Sequence, residues 1–196
     1  GDQFGFSVSS AGEYNGNGFS TVYDDVIVGA IYAQGSAASS GAAYIFYGGA
    51  NMDNIPDVIF NGEASGDWYG SSVSKADDIN YDGYGDVIIG ASKNDANGTD
   101  AGRAYVYFGG PFLLPSVTLN GTNQYDYFGT SVAGVGDVNG DYFKDVLVGA
   151  YGNDESFPDG GRAYLYYGDL QMDNLRDVWF TGEAAGDYLG VYVSSA

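Results

Sequence analysis

Histidine and cysteine are missing altogether from this chain, and basic residues number only 6 against 26 acidic ones. The first two absences exclude disulfides, thiolate metal sites, a cysteine nucleophile, an imidazole base and imidazole ligation of zinc. The third leaves a net charge of −20. Nucleic acid and an anionic membrane surface both call for a basic footprint, so neither is an expected partner. No apolar run approaches the roughly 18 residues of a transmembrane helix, and direct membrane insertion is not expected either. Leucine, lysine and glutamate are scarce, whereas glycine stands at 33 and tyrosine at 19 in 196 residues. That mixture disfavours helices and suits strands joined by tight turns, so the expected fold class is all-β.

What is present is a repeat with a period of about sixty residues. "GDQFGFSV" at 1, "GDWYGSSV" at 66, "YDYFGTSV" at 125 and "GDYLGVYV" at 186 are copies of one motif. "DVIVGA" at 25, "DVIIGA" at 86 and "DVLVGA" at 145 are a second, and "GAAYIFYGG" at 41, "GRAYVYFGG" at 102 and "GRAYLYYGD" at 161 a third. "PDVIFNGEASGD" at 56 and "RDVWFTGEAAGD" at 176 lead into the next copy, with the looser "PSVTLNGTNQYD" between them. Each unit offers four short β-type runs bounded by Gly, Asn and Asp, and no stretch keeps a helical period. Four antiparallel strands per repeated unit is the signature of a propeller blade. The boundaries fall at 1–65, 66–124 and 125–185, with 186–196 as the first strand of a fourth unit. Near-continuous apolar runs such as "VIVGA" suit inner strands packed between blades. The alternating rings of the third strand read as core, with their hydroxyls at its wet edge.

An acidic turn sits between the first and second strands of each unit. "DINYDGYGD" and "DVNGDYFKD" share the form D-x-N-x-D-x-x-x-D. Oxygen ligands therefore fall on Asp78, Asn80, Asp82 and Asp86, and on Asp137, Asn139, Asp141 and Asp145, with the carbonyls of Tyr84 and Phe143 able to complete each set. Hard oxygens in such number suit Ca²⁺, which takes about six to eight of them in flexible geometry. Asx-turn capping without metal is the competing explanation. An EF-hand would need a bidentate Glu at the twelfth position, where Ile89 and Val148 stand, and a helix in place of the strand. The first unit offers Glu13, Asn15, Asn17 and Asp25, but two amides replace charges and inserted residues break the spacing. This loop is equally open to a reading as an eroded, metal-free turn.

The F-G opening, the D-x-N-x-D-G-x-x-D loop and the "VGA" strand resemble FG-GAP repeats, which build the seven-bladed β-propeller of integrin α chains and occur in many secreted bacterial proteins. The resemblance covers three units and the start of a fourth, and implies a larger, seven-bladed type of propeller. It also implies calcium at the second and third loops. The departures are Ile31, Ser92 and Tyr151 at the Pro of G-A-P, and Tyr69 and Leu189 at the Phe of F-G. Nothing in the resemblance identifies a ligand-binding face.

Functionally, the expectation is an extracellular or cell-surface calcium-binding module for adhesion or recognition, with a protein or glycan ligand. The alternative is a structural subunit of a filament, sheath or surface layer that associates end to end with its own copies. An enzyme is not expected, because the clustered acids are claimed by the loops and no His or Cys is present. Asn97 and Asn120 head "NGT" sequons on expected loops. The chain starts within a linker and stops after a first-strand motif, so a segment of a longer polypeptide is the expectation, and a closed ring of its own is not.

Overall fold

The computed structural model describes residues 1–16, 23–111 and 117–195. Twelve strands run through them, and no helix occurs among the described residues. Blade 1 holds β1 (Phe4–Gly12), β2 (Asp25–Ala30), β3 (Ala42–Phe46) and β4 (Val58–Asn61). Blade 2 holds β5 (Tyr69–Asp77), β6 (Asp86–Ala91), β7 (Arg103–Tyr107) and β8 (Val117–Asn120). Blade 3 holds β9 (Ser131–Gly136), β10 (Asp145–Ala150), β11 (Arg162–Tyr166) and β12 (Val178–Thr181). Each blade is a separate antiparallel meander in which consecutive strands are neighbours. The first strands stand side by side, β5 packing on both β1 and β9. The chain is thus all-β and built of propeller blades.

The core lies between blades, which explains the unbroken apolar runs of the second strands. Val87 and Ile89 of β6 face blade 1 and join Ile27, Ile45, Phe60 and Tyr69. Ile88 between them points the other way, to Phe128, Val146, Val148 and Tyr164. Successive side chains of a strand leave on opposite faces, so a strand sandwiched between two blades needs apolar residues at every position. Each such side chain contributes about 1.5–3 kcal/mol when fully buried. The outer face of blade 1 is open by comparison: Val8 is 66% exposed, whereas its counterparts Val73 and Val132 are 8% and 6% exposed. The rings of β7 and β11 are core, as expected, but their hydroxyls do not all reach a wet edge. Tyr107 bonds the Tyr69 hydroxyl at 2.9 Å, and the buried Tyr105 hydroxyl has no partner among the described residues.

The Gly of each VGA run and the Gly of the following F-G motif are two halves of one contact. A Cβ on Gly90 would stand 3.0 Å from the Gly129 carbonyl carbon and closer still to its oxygen. The equivalent distances are 2.9 Å for Gly29 over Gly70 and 2.8 Å for Gly149 over Gly190. Hydroxyls reinforce the joint, Ser7 Oγ donating to the Gly70 carbonyl at 2.7 Å and Ser72 Oγ to that of Gly129 at 2.8 Å. The residue before each F-G position takes a left-handed φ: 52° at Gln3, 57° at Trp68, 52° at Tyr127 and 50° at Tyr188. Such values are uncommon for bulky residues and mark a backbone held in place by its surroundings.

Residues 186–195 follow the same rule. The parallel bridge of Gly161 with Leu189 repeats those of Gly41 with Tyr69 and of Gly102 with Phe128. Residues 186–189 thus close blade 3 as the equivalent residues leading into β5 and β9 close blades 1 and 2, and residues 190–195 form no ladder among the described residues. In blades 2 and 3 the ladder comes from pairing with the blade's own second strand, β6 or β10.

Candidate metal centre

The acidic turns join first to second strands: 78–86 in blade 2, 137–145 in blade 3 and, in blade 1, a turn whose described residues are 13–16 and 23–25. All three lie at one end of the stacked blades. In the second loop Asp78 receives the backbone N–H groups of Asp82 and Gly83, at 3.0 and 2.9 Å. The Asp82 N–H is shared with Asn80 Oδ1 at 3.1 Å, so two of the expected ligand oxygens converge on one nitrogen. Asp82 itself accepts from the Tyr84 N–H and the Asn80 amide, each at 2.9 Å. Positive φ at Tyr81 (60°) and Gly83 (90°) makes this curl, and glycine adopts the second of these without strain.

The third loop repeats the arrangement. Asp137 accepts from Gly140, Asp141 and Tyr142, Asn139 from Asp141, and Asp141 from Phe143 and the Asn139 amide. Asp78, Asn80 and Asp82 are thus brought together, as are Asp137, Asn139 and Asp141. Their carboxylates face backbone N–H groups, and among the described residues no group of three or more acidic side chains is drawn up as a ready cation cage.

Asp86 and Asp145 stand apart from these exposed ligands. Both are fully buried, and so is Asp25 of the first loop. Asp86 accepts from the Ile79 N–H at 2.8 Å and, with its other oxygen, from the Gly109 N–H at 2.9 Å. Asp145 does the same with Val138 and Gly168, and Asp25 with Asn15 and Gly48. Each therefore ties its own acidic turn to the end of the third strand. Burial pushes the Asp86 carboxyl up to about 7 against the pull of those two N–H donors, and the charges of Asp82 and Asp78 add to the rise. Asp145 and Asp25 are raised for the same first reason, burial.

The donor set fits a hard cation. Every ligand is oxygen, and each carboxylate keeps lone pairs beyond those its N–H donors use. The first loop supplies a further observation. Glu13 Oε1 and Asn15 Oδ1 are buried and have no hydrogen-bond partner among the described residues. Burial, then the charge of Asp25, raises the Glu13 carboxyl. Unpaired buried oxygens are costly, and a cation would satisfy both. Asn17 lies outside the described residues.

At the opposite end of the blades stands an acid–amide pair that the spacing of motifs did not single out. Asp67 accepts from the Asn94 amide at 2.8 Å and the Ala64 N–H at 3.0 Å, and Asp126 accepts from the Asn153 amide at 3.0 Å. All four side chains are buried. The signal available in the sequence was the paired "KND" and "GND" that follow β6 and β10. The two sequons also differ in setting. Asn97 lies exposed in a turn, whereas Asn120 ends β8 with its oxygen bonded to Arg103 Nε at 2.7 Å.

Four-stranded units locked glycine to glycine, with an oxygen-rich turn at the same corner of each, define a class of propeller repeats. The FG-GAP repeat family model matches residues 69–107, which run from β5 to β7. Integrin alpha-5 of Xenopus laevis is 31% identical over 177 residues, 83% of this chain and 16% of that protein. Integrin alpha-6 of Homo sapiens is 35% identical over 126 residues, 62% of this chain and 10% of that protein. Integrin alpha-PS5 of Drosophila melanogaster is 32% identical over 176 residues, 85% of this chain and 16% of that protein. Residues 69–107 thus match an FG-GAP repeat, and the chain is similar to integrin alpha chains over most of its own length. It spans a sixth or less of these relatives.

Proposed function

We propose that this chain is part of a calcium-binding FG-GAP propeller that acts outside the cell or at its surface, in adhesion or recognition of a protein ligand. The observation that carries the reading is the doubled turn in which Asp78 and Asn80 share the Asp82 N–H and Asp137 and Asn139 share the Asp141 N–H, while the carboxylates of Asp82 and Asp141 take the Asn80 and Asn139 amides. Calcium would be held by these side chains, by the Tyr84 and Phe143 carbonyls, and by the buried Asp86 and Asp145. Glu13, Asn15 and Asp25 offer a third, poorer set. The ion supplies fixed positive charge that joins the loop to the strand it precedes, and no catalytic role is assigned to it. Similarity to integrin alpha chains supports a recognition module over an enzyme.

Ligand that binds only the folded state stabilises it by mass action, by about 2.7 kcal/mol at a hundred times Kd. The melting temperature should therefore rise with added calcium and fall in excess chelator. Identical melting curves in the two conditions would remove calcium from the reading. Association between copies of the chain is the second reading, favoured by the exposed Phe4, Phe6 and Val8 on the outer face of blade 1. Sedimentation at rising concentration tests it.

A further inference from the structure

The acidic loops of neighbouring blades touch through one recurrent pair of positions. The seventh residue of the second and of the third loop supplies the expected carbonyl ligand. Its ring rests on the fourth residue of the loop before it. Phe143, seventh in the third loop, has its ring centroid 5.9 Å from that of Tyr81, fourth in the second, with the planes at 64°. Tyr84, seventh in the second loop, lies over Gly16, fourth in the first. A Cβ on Gly16 would come within 3.4 Å of the Tyr84 Cζ and closer to two other ring atoms. Tyr81 and Gly16 share a left-handed backbone, with φ of 60° and 62°. Gly140, fourth in the third loop, has open space in the same place.

Tyr81 is 67% exposed, a high value for a ring with an apolar neighbour so close. Its contact with Phe143 buries little and serves poorly as core. What it does is set the backbone of one loop against the ligand-bearing backbone of the next. Tyr81 lies between Asn80 and Asp82, so any closure of the second loop on an ion moves the Tyr81 ring. That ring bears on Phe143, whose carbonyl is a ligand of the third loop.

We propose that Tyr81 is a positioning residue that couples the calcium affinities of the second and third loops through the Phe143 ring. The proposal rests on the calcium reading above and adds its regulation: occupancy of one blade's loop prepares the next. Coupling between sites is reciprocal, so each loop must change the other's affinity by the same factor. The amides of Gly83 and Tyr142 donate to the first ligand of their own loops and can report each site separately.

The test is a calcium titration of the whole chain followed by amide NMR at Gly83 and Tyr142. Asp82→Ala silences the second loop and Asp141→Ala the third. Each should weaken the other loop's affinity by about 5-fold, the lower end of usual coupling. Tyr81→Gly, which restores the residue type of the first loop, should erase both effects, and Tyr81→Phe should keep them. Independent affinities in the parent chain, or coupling that survives Tyr81→Gly, would overturn the proposal while leaving the calcium reading intact. Failure of both loops to take up calcium would overturn the calcium reading and the coupling together.

Discussion

Replacing Gly90 by alanine is a one-methyl change aimed at the joint between blades 2 and 3. The new Cβ would meet the Gly129 carbonyl, its oxygen lying inside the ordinary C···O contact of about 3.3 Å by roughly 1 Å. A flexible side chain could swing away, but this oxygen belongs to backbone held at a left-handed φ of 81° and cannot. The start of β9 must therefore move off β6. That movement breaks the Ser72 Oγ bond to the same carbonyl, worth about 1 kcal/mol net. It also loosens Phe128 in the inter-blade core, at an overpacking cost of about 1–3 kcal/mol. The expected loss is about 2–4 kcal/mol, with a melting temperature lower by about 2–4 °C for each kcal/mol in a chain of this size. Gly49→Ala is the control, because its Cβ would meet nothing within 4 Å and its φ is ordinary. Urea unfolding followed by circular dichroism compares the two. A Gly90→Ala variant within 0.5 kcal/mol of the parent, or a Gly49→Ala variant equally damaged, would falsify the account of the joint, taking ~0.5 kcal/mol as the spread of neutral surface changes.

The remaining predictions concern acids at the two ends of the blades. Asp86→Ala leaves the N–H groups of Ile79 and Gly109 without their acceptor, so it should cost about 2–4 kcal/mol even in excess chelator. Asp82→Ala should show its main effect only when calcium is present, and equal losses for both variants in chelator would count against separate roles. Burial, opposed by the Ala64 and Asn94 donors, holds the Asp67 carboxyl above its ordinary value. The folded chain therefore takes up a proton at a pH where the unfolded chain does not, and this group's contribution to stability grows as pH falls through the window between the raised and ordinary values. Relative to Asp67→Asn, the parent should gain stability as pH is lowered from neutral toward the ordinary Asp value of ~3.9, the acid side of that window. An unchanged difference across that range would refute it.

Much of this fold was legible because a repeat prints the same physical demand several times. "DVIIGA" is read as a strand at its true bounds, since the β-branched run Val87, Ile88 and Ile89 with a turn on either side leaves little choice. The aromatic third strands were also plain, though the partner of Tyr107 was not, because Tyr69 heads β5, which is not the strand paired with β7. The acidic turns were found from their spacing alone. Asp86 and Asp145 were expected as the last calcium ligands on the strength of that spacing. It could not show that they also accept N–H groups of Gly109 and Gly168, 23 residues away along the chain. The Asp67–Asn94 pair escaped notice for the same reason: its members are 27 residues apart and neither looks unusual alone. Left-handed backbone at Trp68 and Tyr127 had no signal at all, since glycine is the residue type that announces it.

The glycine joint has a consequence for how such a chain can change over time. Blade 1 is finished by Gly70 and blade 2 by Gly129, residues that the sequence motif assigns to the following copy. The strands of each blade belong to one copy, but its latch is thus carried at the start of the next. Copying a stretch one period long, cut at any point, restores every joint; deleting part of a period leaves one blade without its latch. Length in between is confined to the turns, as the differing first and second acidic loops already show.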